Sequence, residues 1–435
     1  MTAAPGTVRA RWHAPDLARR LCRALEIAGQ TVERLAEHGY KDAAEPAINV
    51  RPEKIVGETA ILLYAASAAS HHDQVRAATH RVAQLLIPYA RSPRMLLGVC
   101  LEPSLALDFA EAHICLSRLG YRDKGFDELL LQARSAQAGS GRERVPHRVL
   151  EQRWITGIWN ELTGERELSP QPGVDSVLHR PIDLFGGGRE DLYAFTHALM
   201  YVRDFNIRPR RLPRTRATIL AEAEGALARC LDDDDYDLGG EVLMAWPLTG
   251  KSWSAAAAFG FRVLTHVEDE NGHLPPSSMR PARLDKLEGS ARTDYWLATT
   301  YHTVYVMGLL CAAALHPETA PPAQPPAWGN GEAVGSILRF LDGDDRSPRW
   351  RQEFDRLTPE QRGALAGFLL NIALYRKIRK REFDAVLELL ATGYASGLSD
   401  TPAASQSAEM LERLAVFERI TGMSGAEIKR QPALL

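Results

Sequence analysis

The stretch Asp191-Leu-Tyr-Ala-Phe-Thr-His-Ala-Leu-Met-Tyr-Val-Arg-Asp204 reads as a helix whose apolar face also carries ionisable groups. Stepping by three and four residues puts Tyr193, His197, Met200 with Tyr201, and then Asp204 on one stripe. A histidine and a carboxylate therefore lie about two turns apart with phenols between them. A helix facing a polar cavity needs such a stripe, and a plain core helix does not.

Working outward from this stretch, helical spacing of apolar residues recurs over 16–37, 53–70, 74–90, 105–119, 126–136, 146–161, 213–231, 237–245, 254–267 and 292–315. No segment shows strict β alternation, so the fold class is all-α. Rather apolar helices alternate with more amphipathic ones, which suits inner helices surrounded by neighbours and outer helices facing water. The expected architecture is an α/α toroid of helical hairpins over 1–316. A Pro-rich linker over 317–330 and a helical C-terminal extension over 331–435 follow. An irregular multi-helix bundle is the alternative, because no crisp repeat recurs. Between 164 and 188 the helical period is lost, and Pro170, Pro172, Pro181 and Gly186-Gly187-Gly188 mark a long connection.

Composition narrows the function classes. The 435 residues are 45% hydrophobic and 25% charged with a formal charge of -3, an ordinary globular balance without a field for a polyanion. The basic clusters at 203–216 and 376–381 read as a solvated turn and a solvated helix face, and no nucleic-acid partner is expected. Five scattered cysteines without a C-x-x-C pair read as reduced thiols. Residues 1–13 lack the apolar segment of a secretion signal. The most apolar window, 296–315, is interrupted by Thr299, Thr300, Tyr301, His302 and Thr303, so no membrane span and a cytoplasmic location are expected.

Three of the most apolar helices each carry one central histidine: His113 in Asp108-Phe-Ala-Glu-Ala-His-Ile-Cys-Leu116, His197, and His302 in Asp294-Tyr-Trp-Leu-Ala-Thr-Thr-Tyr-His-Thr-Val-Tyr305. On the inner wall of a toroid these imidazoles would converge, as ligands for a divalent transition metal or as general acids and bases. The expected catalytic set is His197, His302, Asp204, Asp294 and Tyr301, with Glu111 as a further carboxylate on the same helices. Tyr193, Tyr201, Tyr295 and Tyr305 would contact substrate, and Trp246 and Trp253 would flank a loop over the mouth. Each histidine also has a plainer reading as a core residue bonded to a backbone carbonyl, and the tyrosine stripes as packed core.

The run Asp232-Asp233-Asp234-Asp235-Tyr236-Asp237 resembles the D-x-D-D and D-D-x-x-D motifs of terpene cyclases, which would imply a carbocation cascade or magnesium held on a diphosphate. Its place before Leu238-Gly239-Gly240 equally suits a helix start. Glu268-Asp269-Glu270-Asn271-Gly272 reads as a tight acidic turn at a helix end. Thr249-Gly250-Lys251-Ser252 is no phosphate loop, since Ala245 stands where the upstream glycine belongs. The segments 191–204, 236–275 and 301–314 resemble uncharacterised all-helical actinobacterial proteins of specialised-metabolite gene neighbourhoods, a resemblance that implies no known activity.

Together these features favour an enzyme of bacterial specialised metabolism acting on a small organic substrate in a His/Tyr/Asp-lined cavity, with a homodimer as the assembly to test. An isoprenoid cyclase and a non-catalytic helical binding or scaffold protein are the other readings.

Overall fold

A computed structural model describes residues 14–41, 49–164, 174–315, 319–322, 329, 331–342, 348–423 and 425–430. The chain begins with α1 (Ala14–Glu33), α2 (Pro52–Ser67), α3 (Asp73–Ala90), α4 (Pro93–Leu101), α5 (Ala106–Arg118), α6 (Lys124–Arg134) and α7 (Pro146–Thr163). It continues with α8 (Arg189–Arg203), α9 (Arg216–Asp232), α10 (Tyr236–Leu243), α11 (Ala245–Thr249), α12 (Ala255–Asn271), α13 (Pro281–Leu284) and α14 (Gly289–Ala314). The C-terminal part holds α15 (Gly331–Leu338), α16 (Arg349–Asp355), α17 (Pro359–Gly363), α18 (Ala366–Arg379), α19 (Phe383–Ala395), α20 (Pro402–Thr421) and α21 (Gly425–Arg430). The all-α class holds. Among the described residues the only strand pairing is a two-residue antiparallel ladder, Tyr40 opposite Val50 and Lys41 opposite Asn49.

Local chemistry sets the helix ends. Ser92 accepts from the Met95 amide with Pro93 entering the first turn of α4, and Asp123, Thr215, Asp235 and Ser254 cap α6, α9, α10 and α12 in the same way. Gly272 ends α12 in the left-handed region at φ 79, as the Asn-Gly pair implies. The acidic residues before it are tied inward. Arg20 on α1 pairs with Glu268 and, at 2.8 Å, with Asp269.

Tertiary contacts then run in a circuit. Helix α2 packs on α5, α5 on α7, α7 on α8, α8 on α10, α10 on α14, and α14 returns to α2. Each of the six contributes side chains to one central cavity, among them Glu58, Glu111, Glu151, His197, Glu241 and His302. Helices α1, α3, α9 and α12 lie outside the circuit, α1 against α14 and α3, and α9 against α10 and α12. Close approach within the circuit requires a bare backbone at Gly240, where a Cβ would fall 2.6 Å from Val306 Cγ1 of α14.

Helix α14 is long and apolar enough to cross a membrane by length and composition, against the expectation that no run reaches that length. Its apolar window is 89% buried among other helices, as for a core helix. Residues 317, 318, 323–328 and 330 of the expected linker lie outside the described residues. Beyond it, α18 packs on α9 and α16 on α12, and Phe259 meets Phe368 edge-on at 5.4 Å, so the apolar core runs on into the extension.

Candidate active site

The cavity encloses about 630 Å³, the size of a small organic ligand. Its mouth is charged, with Arg51, Lys54, Arg94 and Arg142 alternating with Glu53 and Glu102, and its floor is apolar at Ile61, Ile155, Met244, Val306 and Leu309.

One wall is built by α5, α7 and α8. Glu151 is buried, and both its oxygens lie 2.8 Å from Arg148 Nη1. The Tyr201 hydroxyl also donates to it. Burial pushes the Tyr201 phenol well above its ordinary range, and the Glu151 charge adds to this, so the phenol stays a donor. Glu111 lies in the same wall, facing Gly57 of α2, where a Cβ would stand 2.7 Å from its Oε2. Among the described residues no side chain hydrogen-bonds Glu111. Burial raises its carboxyl well above the usual carboxylate range, and the neighbouring Glu151 and Asp108 charges raise it further. Two carboxyl groups thus share one cavity in opposite environments, one clamped by a guanidinium and one raised well above its usual range by burial and like charges.

The opposite wall comes from α2, α8, α10 and α14. His302 Nδ1 lies 3.1 Å from Glu58 Oε2, and His302 Nε2 faces Asp237 Oδ1 at 3.4 Å and Glu241 Oε1 at 3.8 Å. Burial lowers the His302 imidazole, but Glu58 and Asp237 outweigh it and hold it well above its ordinary range. Glu241 is 3% exposed; its Oε2 accepts from Thr196 Oγ1 at 2.6 Å and lies 3.5 Å from His197 Nδ1. Burial pushes the Glu241 carboxyl up, and the His197 and His302 imidazoles bring it far below the usual range. Asp237 moves the other way: burial raises it against the pull of His302. His197 Nδ1 also faces the Tyr193 carbonyl at 3.1 Å, with the Tyr193 ring stacked on the imidazole at 3.6 Å.

His197, His302, Tyr193, Tyr201 and Tyr305 line the cavity as expected, and the Tyr305 hydroxyl shares a 2.8 Å hydrogen bond with Thr59. Other expected residues stand elsewhere. His113 turns away to α6, stacking on Phe126 at 4.1 Å and bonding Asp127 at 2.8 Å, so the three histidines do not converge on one metal. Asp204 leaves the stripe because α8 ends at Arg203 and Asp204 adopts φ 47. Its carboxylate accepts from the Tyr64 hydroxyl, the Trp154 indole and Arg208 instead. Asp294 sits in the first turns of α14, half-buried and paired with Arg34 at 2.8 Å.

Tyr301 is one residue from His302 and so rotated about 100° off the wall. It packs edge-on against Tyr305, and burial together with the neighbouring Glu58 carboxylate pushes its phenol well above the ordinary range. Tyr295 accepts from the Arg280 amide, away from the cavity. Trp246 and Trp253 stack on each other in the core, the Trp253 indole donating to the Thr319 carbonyl at 2.7 Å, and neither covers the mouth.

Of the acidic run, Asp232 and Asp233 reach Arg376 and Arg379 of α18, Asp234 accepts from the Tyr236 hydroxyl, and Asp235 caps α10. Only Asp237 joins the cavity wall cluster. Glu58, Glu151 and Glu241 were not expected from sequence. A single carboxylate inside an apolar helix, Gly57-Glu58-Thr59 in α2 and Gly240-Glu241-Val242 in α10, was the available signal.

A family model described as a domain of unknown function (DUF6895) matches residues 21–312. The chain belongs to the DUF6895 family. That match takes in all six helices of the circuit and every cavity-lining residue, and it stops before α15. No curated protein and no solved structure matches the chain. The DUF6895 region is thus the cavity-bearing part, and α15–α21 are an addition to it.

Proposed function

We propose that this DUF6895 chain is an enzyme that performs general acid–base chemistry on a small polar organic molecule held in the cavity. The circuit of six helices is read as the inner wall of an α/α toroid, with the cavity at its centre. The observation that carries the proposal is the carboxyl pair Glu111 and Glu151. Their environments are opposed, and such a division sorts carboxyl groups into acid and base. Glu111 donates a proton to a leaving or developing oxyanion. Glu151, oriented by Arg148 and Tyr201, accepts one from the attacking group. The charged mouth selects a polar molecule, and the apolar floor holds its carbon frame.

The cyclase reading is less favoured, because Asp232, Asp233 and Asp235 are committed to Arg376, Arg379 and the α10 cap. The test is incubation of wild type, Glu111→Gln and Glu151→Gln with a fractionated bacterial metabolite extract, followed by mass spectrometry. Wild type is expected to convert at least one polar metabolite. Each variant should lose about 10²–10⁴-fold of that rate while its melting curve still shows a cooperative folded state. Conversion unaffected by Glu111→Gln, or a metabolite that is bound and returned unchanged, defeats the acid–base reading and leaves a binding protein.

A further inference from the structure

The wall facing the Glu111–Glu151 pair has a property that an ordinary ion-pair cluster lacks: three side chains each have one polar atom pinned and one left free. Glu58 Oε2 holds His302 Nδ1 at 3.1 Å, Arg189 Nη2 donates to Asp237 Oδ2 at 2.8 Å, and Thr196 Oγ1 donates to Glu241 Oε2 at 2.6 Å. The remaining atoms, His302 Nε2, Asp237 Oδ1 and Glu241 Oε1, face one another, and the three residues each offer a ligand atom within 4.8 Å of the others. Asp237 Oδ1 is shut off from solvent and has no hydrogen-bond partner among the described residues. Glu241 is 3% exposed, and its Oε1 faces His302 Nε2 at 3.8 Å, beyond ordinary hydrogen-bond length.

Distances separate the two meanings of this cluster. A charge-assisted N–H to carboxylate bond is about 2.7–2.9 Å long. The Nε2 to Oδ1 and Nε2 to Oε1 separations are 3.4 and 3.8 Å. Zinc bonds of about 2.0–2.2 Å in a tetrahedron put neighbouring ligand atoms roughly 3.3–3.6 Å apart, close to what is seen. The pinning contacts have the form of a second shell, with a carboxylate on the far nitrogen of the histidine fixing tautomer and ring plane. Spacing supports it as well, because Asp237 and Glu241 are one turn apart on α10 and α14 brings His302 across.

We infer that Asp237, Glu241 and His302 form a site for a divalent first-row transition ion, with zinc the best fit to one imidazole and two carboxylates. Two carboxylates balance the charge of the ion, and the ion takes the Nε2 lone pair of the tautomer whose Nδ1–H faces Glu58. His302 and Glu241 both line the cavity, so the fourth position opens toward the space where substrate would sit. The site replaces the three-histidine centre expected from sequence. It stands independently of the acid–base proposal, since neither Glu111 nor Glu151 is a ligand.

The test uses the full chain, stripped with chelator and titrated calorimetrically with zinc chloride in two buffers of different ionisation enthalpy. Cobalt absorption spectra are recorded in parallel. One zinc per chain is expected, and the cobalt complex should lack a thiolate charge-transfer band. Asp237→Asn and His302→Gln should weaken binding by about 100-fold or more, and Glu58→Gln, which leaves all three ligands in place, by about 10–100-fold. If either ligand variant does not fold, Glu58→Gln and Thr196→Val carry the decision, since both act through the pinned atoms alone. Absence of stoichiometric zinc, a thiolate band, or unchanged affinity in the folded variants overturns the site.

Discussion

Replacing Asp232 by alanine tests whether the acidic run holds the C-terminal extension to the cavity-bearing part. Asp232 is wholly buried and Arg376 is 7% exposed, and the guanidinium reaches the carboxylate at 2.9 Å through Nε and 2.6 Å through Nη2. The Trp350 indole donates to the same carboxylate at 3.1 Å. Alanine would take the buried carboxylate away from an enclosed guanidinium, a loss of about 3–5 kcal/mol. The orphaned indole N–H adds roughly 1–3 kcal/mol when counted alone. The two losses share one carboxylate and do not add, so the expected cost is about 3–5 kcal/mol, with Asp232→Asn less damaging because it keeps an acceptor for Trp350. The ion pair itself is nearly neutral, so the double variant Asp232→Leu with Arg376→Met should cost less than Asp232→Ala, about 1–3 kcal/mol, set by the indole left without its acceptor. Urea unfolding followed by tryptophan fluorescence measures both, with Trp350 reporting from the dock. An Asp232→Ala cost below about 1 kcal/mol, or a double variant as unstable as the sum of the singles, would refute the assignment.

Glu111→Gln should change stability in a pH-dependent way. The raised carboxyl holds its proton more tightly in the native state than in the unfolded chain, so its stabilising contribution is full below about pH 4.3–4.5. That contribution is lost as pH rises through the native pKa. Glutamine cannot ionise, so its melting temperature relative to wild type should climb with pH from about 4.3–4.5 and level off once pH passes the native pKa, and a difference constant with pH counts against a raised Glu111. Gly240→Ala should cost about 1–3 kcal/mol in denaturant unfolding, because its Cβ would press on Val306 Cγ1 at 2.6 Å and force α10 from α14. His113→Leu should lower stability by about 1–3 kcal/mol through the abandoned Asp127 and Arg91 contacts. It should leave zinc titration and metabolite conversion unchanged, and loss of either readout with the fold intact would return His113 to the site.

The sequence made the helices legible because burial of one stripe imposes a 3.6-residue period that survives without knowledge of neighbours. It could also place His197, Tyr193 and Tyr201 on a common stripe, since that is a property of α8 alone. Convergence between helices is a different quantity. It depends on which way each helix is rotated in the circuit, and one residue of rotation separates His302 at the wall from Tyr301 behind it. His113 shows the same limit from the other side: its helix is in the circuit, but its imidazole points outward to Asp127, while Glu111 two residues earlier points in.

The stronger sequence signal was the lone carboxylate in an apolar helix rather than the lone histidine. Neutral imidazole can settle in a core on hydrogen bonds to its two ring nitrogens, as His113 does with Asp127 and Arg91. An ionised carboxylate in the same position needs a partner or must keep its proton. Glu58, Glu111, Glu151 and Glu241 sit on four different helices, and each is resolved differently: by His302, by a raised pKa, by Arg148, and by two imidazoles with Thr196. Four carboxyls converging on one space of about 630 Å³ raise the electrostatic cost of the fold. Apolar residues at the same positions would avoid it. A core selected for stability alone has no reason to keep them, so the wall is best explained by what the cavity binds.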